Sequence, residues 1–392
     1  MRIIASPELD RFRAECRDWL AGNVPRGPIP IDGEALRDFD LAWQRRQYEG
    51  GWAGVSWPKD YGGRGLSVIE QLIWLEEYAR AGAPQSRSMF VALSHAGPTL
   101  IVRGSEAQKQ RHLLPILKGE ENWCQGFSEP GAGSDLASLK CRAVVDGDEL
   151  VVTGTKIWTT YGHLARWQEL LVRTDPGETR HRGLSWVICD MHAPGLEVRP
   201  IRTMSGPSHF AQCFYDEVRI PVANVVGGLN NGWQVAMTTL GFERGTGTVM
   251  HQIELAETVD ALIAEARTRP ARSGQGRLID EEGVAGELAT LRMEVMALRS
   301  LTAASISRGM SEAVPGAEGN VVALYFGELT RRVHGAALDL LGPAALARSG
   351  AHDWAFRYLE SFKWAIGGGT SDIRRNTIGE RLLGLPREPR AI

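Results

Sequence analysis

Apolar and polar positions along this chain repeat with two different periods, and the changeovers divide it into three stretches. From the start to about Gly119 the spacing is helical. In SVIEQLIWLEEYARAG, Ser67 precedes Glu70 by three residues, the arrangement in which side chains satisfy the free N–H groups at a helix start. Ile69, Leu72 and Ile73 then fall on one face. Near Trp123 the texture changes. CRAVVDGDELVVTGTKIW carries two β-branched runs about Asp146–Gly147, a dipeptide suited to the positive φ values of a tight hairpin turn. GLSWVICDM and FAQCFYDEVRIP continue the strand texture to Pro221. In GTKIWTTYG a period of two puts Trp158 and Thr160 on the same face of a strand.

After GGLNNGW the helical period returns, from Trp233 to about Arg267, from Val284 to Ser311 and from Gly316 to Leu341. The Pro, Gly and Arg content of RTRPARSGQGRLIDEEG predicts a loop between the first two. The expected organisation is a helical domain over 1–122, a β domain over 123–226 and a helical domain over 227–392. The fold class is therefore mainly α with a central β domain, not the βαβ alternation of a doubly wound sheet.

Composition narrows the function. At 392 residues the chain exceeds what one hydrophobic core usually serves. A net charge of -3 gives no electrostatic reason to expect nucleic acid or an anionic membrane. Five scattered cysteines form no Cys-x-x-Cys pair, which argues against a disulfide framework and a zinc site and favours a reducing cytoplasm. No apolar run reaches the length of a membrane span. Without Gly-x-Ser-x-Gly or His-Glu-x-x-His spacing, hydrolase and metalloenzyme readings are set aside, and no metal is expected.

Three segments remain as candidate chemistry. QGFSEPGAGSDLASLK is either a surface turn or a loop whose glycines let backbone N–H groups approach a diphosphate, with Ser128 and Ser134 as further donors. Trp158 is either core or a cover for one face of a flat aromatic cofactor, with Thr160 bonding to the ring. Glu243 and Arg244, in MTTLGFERGTG, are either a solvated face or charges at a ligand site, because the surrounding segment holds little other charge.

WPKDYGGRG, SEPGAGSDL, TKIWTT and GGTSDIRR, in this order, resemble the acyl-CoA dehydrogenase family over essentially the whole chain. The resemblance implies an N-terminal helical domain, a middle β-barrel and a C-terminal four-helix bundle, with FAD as cofactor. It implies removal of an α-proton from an acyl thioester by a carboxylate, loss of the β-hydrogen to FAD, and transfer of electrons to an electron-transfer flavoprotein. Carried over by position, Phe127, Ser128, Gly133, Ser134, Trp158, Thr159, Thr160, Thr370 and Asp372 become cofactor contacts. Ser134, Gly241, Arg244 and Gly369 become substrate contacts, with Arg244 near the CoA moiety or in a surface ion pair.

In much of the family a glutamate stands where this chain has Gly368. The isovaleryl-type branch instead takes its base from the first bundle helix, at the position that Glu243 matches. The resemblance thus assigns the base to Glu243 and an enolate-stabilising backbone N–H to Gly368. Two other family features are missing: the Arg-x-x-Phe-Gly element is absent from RTRPARSGQGRLID, and the Gln-x-x-Gly-Gly element reads DLLGP from Asp339 to Pro343. Both concern contacts across a dimer interface. The partner is accordingly either an identical chain, in a dimer or tetramer, or a second acyl-CoA dehydrogenase-like chain in a hetero-oligomer. A non-catalytic half-site subunit and an oxidase or monooxygenase on the same fold are the competing functions.

Overall fold

Helices begin in the first part of the chain where side chains occupy free backbone donors. The computed structural model describes residues 6–178, 180–242, 248–309, 317–347 and 353–387. Its first five helices are α1 (Pro7–Asn23), α2 (Gly33–Glu49), α3 (Val68–Arg80), α4 (Gly97–Arg103) and α5 (Glu106–Leu117). Asp32 caps α2 through Gly33 N, and Ser105 with Gln108 forms a reciprocal cap on α5. The expected Ser67–Glu70 pair is present at α3: Ser67 N donates to Glu70 Oε2 at 2.8 Å and Glu70 N to Ser67 Oγ at 3.4 Å. The buried strip of α3 comprises Ile73, Trp74, Glu77 and Tyr78, while Ile69 and Leu72 stay half-buried. The Trp74 and Tyr78 rings, in edge contact at 5.5 Å, bury the larger area and set the face.

Between α3 and α4 the backbone tightens and then loosens, through a 3-10 turn at Arg87–Met89 and a π-helical turn at Ala92–Ala96. Asp40 of α2, fully buried, anchors the start: its Oδ2 accepts from Ser88 N at 2.7 Å and Ser88 Oγ at 2.9 Å.

The middle stretch forms β1 (Trp123–Gly126), β2 (Arg142–Asp146), β3 (Glu149–Thr160), β4 (Trp167–Arg173), β5 (Leu184–Asp190), β6 (Leu196–Ile201), β7 (Phe210–Pro221) and β8 (Val225–Val226). They make one sheet in the order β6-β7-β3-β2-β4-β5-β8, with β1 parallel to β4. The predicted hairpin turn is present, with β2 and β3 antiparallel and Gly147 at φ +62°. The sheet core is built by alternation and includes Val152, Leu170, Val172, Val187 and Val218. Cys124, Cys141, Cys189 and Cys213 are buried there as free thiols, and burial pushes the thiol pKa of each up, that of Cys141 to about 11.

The remaining helices are α6 (Gly232–Phe242), α7 (Thr248–Thr268), α8 (Glu282–Gly309), α9 (Gly319–Leu341), α10 (Trp354–Ser361) and α11 (Ser371–Arg381). The predicted loop between α7 and α8 is present, closed by a bridge between Pro270 and Arg277. The chain divides into two compact units, residues 11–71 with 81–243, and residues 1–10 with 72–80 and 244–392. The first holds the sheet, α2, α4, α5 and α6. The second holds α7 to α11 around cores such as Leu255, Val259, Leu298, Leu329 and Val333. Among the described residues no helix is long and apolar enough to cross a membrane.

Candidate active site

The loop after β1 is fixed by a buried ion pair. Glu129 and Ala132 exchange backbone hydrogen bonds at 3.0 and 3.1 Å, folding SEPGA into a tight bend. The Glu129 carboxylate accepts from Lys140 N at 2.7 Å, Cys141 N at 2.8 Å and Lys156 Nζ at 2.8 Å. Lys156, 0% exposed on β3, also donates from Nζ to the Phe127 carbonyl at 2.9 Å. A lysine this deep persists only with its charge paired and its hydrogens used. Ser128 O accepts from Ile157 N at 2.9 Å, so the loop is tied to β3 one residue before Trp158.

At that point β3 is not the regular strand expected. Trp158 has φ +61°, and the pairing with β7 shifts register between Lys156 and Thr159. This bulge inserts one residue. Lys156 and Thr159, three apart, are both buried, while Trp158 is 56% exposed and Thr160 half-buried. Trp158 and Thr160 therefore both lie off the buried side, through a bulge rather than simple alternation. Trp158 meets Phe210 edge-on at 6.0 Å. Thr159 is 0% exposed, and its hydroxyl accepts from the Cys213 thiol at 3.7 Å.

A second polar cluster lies behind the same loop. Gln125, two residues before Phe127, donates to Glu169 Oε1 at 2.8 Å, and His95 Nδ1 lies 3.3 Å from the same oxygen. His95 comes from the π-helical turn, and Glu169, fully buried, from β4.

In the other unit, the glycine run of WAIGGGTSDIRRN is organised by Arg374. Its guanidinium, 7% exposed, donates to the carbonyls of Ala323 at 3.1 Å, Trp364 at 3.0 Å and Gly367 at 2.8 Å. Gly368 has φ +66° and Gly369 φ +111°, a region that side chains enter only with strain. Among the described residues the Gly368 N–H donates to no protein acceptor. Thr370 is the N-cap of α11, accepting from Ile373 N at 3.3 Å. Asp372, with its side chain 92% exposed, pairs with Arg375 at 3.3 Å.

Gly241 lies in the last turn of α6, half-buried. Two residues earlier the Thr239 hydroxyl meets that of Thr99 at 2.9 Å. Glu243 and Arg244, the expected base and CoA contact, lie outside the described residues. Sequence reasoning missed Glu129, Lys156 and Arg374. The one signal for Lys156 was a lone cation on the inward register of an apolar strand.

The residues present fit FAD. Ser128 is half-buried, and among the described residues neither its N–H nor its hydroxyl has a protein partner. A Cβ built on Gly131 or Gly133 meets nothing within 4 Å, which leaves the backbone open to close approach by a diphosphate. Ser134 beside them is exposed. The exposed Trp158 indole supplies a flat apolar face.

Together, a helical N-terminal part, a middle sheet and a C-terminal helical part, with an open glycine loop beside an exposed tryptophan, define a class of flavoprotein. Residues 6–120, 124–216 and 230–383 match the N-terminal, middle and C-terminal domains of acyl-CoA dehydrogenases, and the chain belongs to that family. It is 38% identical to acyl-CoA dehydrogenase IpdE1 of Mycobacterium tuberculosis, over 97% of this chain and 99% of that protein. It is 34% identical to acyl-CoA dehydrogenase FadE26 of the same organism, over 100% of both. Among solved structures it resembles the Tcur3481-Tcur3483 steroid ACAD, with TM-score 0.86 and 31% identity over 99% of this chain and 100% of that one. It also resembles the ChsE4-ChsE5 complex from Mycobacterium tuberculosis, with TM-score 0.84 and 33% identity over the same shares. The protein is an oxidoreductase acting on acyl-CoA, in a family that depends on FAD.

Proposed function

We propose that this chain is the catalytic subunit of an acyl-CoA dehydrogenase that pairs with a second acyl-CoA dehydrogenase-like chain and acts on a bulky, steroid-derived acyl-CoA. Glu243 takes the α-proton, and the Gly368 N–H stabilises the thioester carbonyl as enolate charge develops. One such donor is worth about 2.7 to 4 kcal/mol in the transition state. FAD, when bound, supplies the two-electron acceptor, and an electron-transfer flavoprotein receives the electrons. Ser128 and the open backbone of Gly131–Ser134 hold the cofactor, Trp158 covers it, and Thr160 and the start of α11 from Thr370 to Asp372 complete its contacts. Ser134, Gly241, Arg244 and Gly369 serve the acyl-CoA. The chain is thereby organised as domains 1–122, 123–226 and 227–392.

The observation that carries this reading is the backbone at Gly368. A left-handed glycine with a free N–H suits a donor and is strained for a glutamate, so the carboxylate has to come from elsewhere in the chain. The two-chain reading is supported by the α8–α9 groove, of about 370 Å³, where Glu287 and Asp339 line the walls with Arg332. Arg332 pairs with Glu294 at 2.8 Å and also attracts Glu287, so the groove carries more acid than base, which disfavours a diphosphate there. The names of two structural neighbours, a complex and a steroid ACAD, support the pairing and the substrate.

Anaerobic titration tests the reading. The FAD-loaded protein should lose visible flavin absorbance with a steroid-derived acyl-CoA and far less with a short straight-chain one. Bleaching by neither would support the non-catalytic subunit, and rapid oxygen uptake during turnover would support an oxidase.

A further inference from the structure

The buried Glu129–Lys156 pair does more than close a loop. Lys156 Nζ donates to the Phe127 carbonyl, whose peptide carries the Ser128 N–H at its other end. A cation on the oxygen of a peptide draws electron density from its nitrogen and strengthens the N–H as a donor, and in a dry interior this polarisation is poorly screened. Glu129 takes one ammonium hydrogen and the Phe127 carbonyl another, so the charge is held in one place. The ammonium sits at 0% exposure behind a loop whose Ser128 N–H and hydroxyl have no protein acceptor.

From this geometry we infer that Lys156 is an electrostatic positioning residue, which makes the Ser128 N–H a preorganised donor for the extra negative charge of reduced FAD. The inference rests on the FAD reading above. Lys156 touches neither cofactor nor substrate and acts through the Phe127–Ser128 peptide. Glu129 holds the ammonium in place, and its three accepted hydrogen bonds also fix the loop against β2 and β3.

The test measures dissociation constants of oxidised and of reduced FAD for the full chain, its Lys156→Met variant and its charge-keeping Lys156→Arg variant, under anaerobic conditions. Lys156→Met should weaken reduced FAD more than oxidised FAD, by about tenfold to a hundredfold in the ratio, the range one charge-assisted hydrogen bond carries. Lys156→Arg keeps a cation at the position, within reach of the Phe127 carbonyl and of Glu129, so even where it weakens both redox states it should leave the ratio within about threefold of wild type. An unchanged ratio in Lys156→Met overturns the inference, as does an equal fall of the ratio in Lys156→Arg, since disturbed packing alone would then account for the effect. If Lys156→Met does not fold, Lys156→Gln, a neutral side chain that keeps a donor, takes its place: a lowered ratio supports the inference and an unchanged one refutes it. A wild-type chain that binds neither form of FAD fails the functional reading instead.

Discussion

Replacing Asp40 with asparagine isolates a single buried charge whose cost can be worked from the structure. Asp40 is 0% exposed, and burial pushes its carboxyl from 3.8 up to about 6, against the smaller opposing effects of its Ser88 hydrogen bonds and of Arg87. A carboxyl raised in the folded state binds its proton more tightly there than in the unfolded chain. Its contribution to stability is full below 3.8 and is lost as pH rises through about 6. Two pH units correspond to about 3 kcal/mol lost between pH 4 and pH 7. The asparagine side chain has no such titration. Its oxygen can replace Oδ2, which accepts both Ser88 bonds, while its NH2 takes the place of Oδ1, which has no hydrogen-bond partner among the described residues. Urea unfolding of the two apo proteins across this range, followed by circular dichroism, should show Asp40→Asn gaining about 3 kcal/mol relative to wild type as pH rises. Parallel pH profiles would refute the assignment of a buried, titrating charge.

Other substitutions separate architecture from ligand binding. Trp158→Ala, at a 56% exposed position, should change apo stability by less than about 0.5 kcal/mol yet weaken FAD binding, read by flavin fluorescence titration. Gly368→Ala places a side chain at φ +66° and should lower stability by about 1 to 2 kcal/mol in thermal melts. Arg374→Met removes donors to three carbonyls and should cost at least about 3 kcal/mol, with the protein's unfolding midpoint as the readout.

What the sequence disclosed, and what it hid, follows the range of the interactions. The Ser67–Glu70 cap and the Gly147 turn are decided within a few residues, so pattern alone found them. The bulge at Trp158 is imposed by pairing with β7, some fifty residues on, and a period of two could not reveal it. Glu129 and Lys156 stand 27 apart, and Asp40 and Ser88 stand 48 apart, so the partner that makes each burial tolerable was not visible locally. Which face of α3 is buried was not decided by counting apolar positions, because Trp74 and Tyr78 bury the larger area. The same bulge turns Thr159 inward, which a period of two could not show either. The family, by contrast, was legible from four short segments, because a loop that must expose backbone tolerates few residue types.

The most direct measurement follows visible flavin absorbance when acyl-CoA is added anaerobically to the FAD-loaded Glu243→Gln variant beside the wild type. Wild type should bleach, while the variant should bind the same FAD and the same acyl-CoA and stay yellow. Bleaching of the variant at the wild-type rate would contradict the division of roles between Glu243 and the backbone of Gly368.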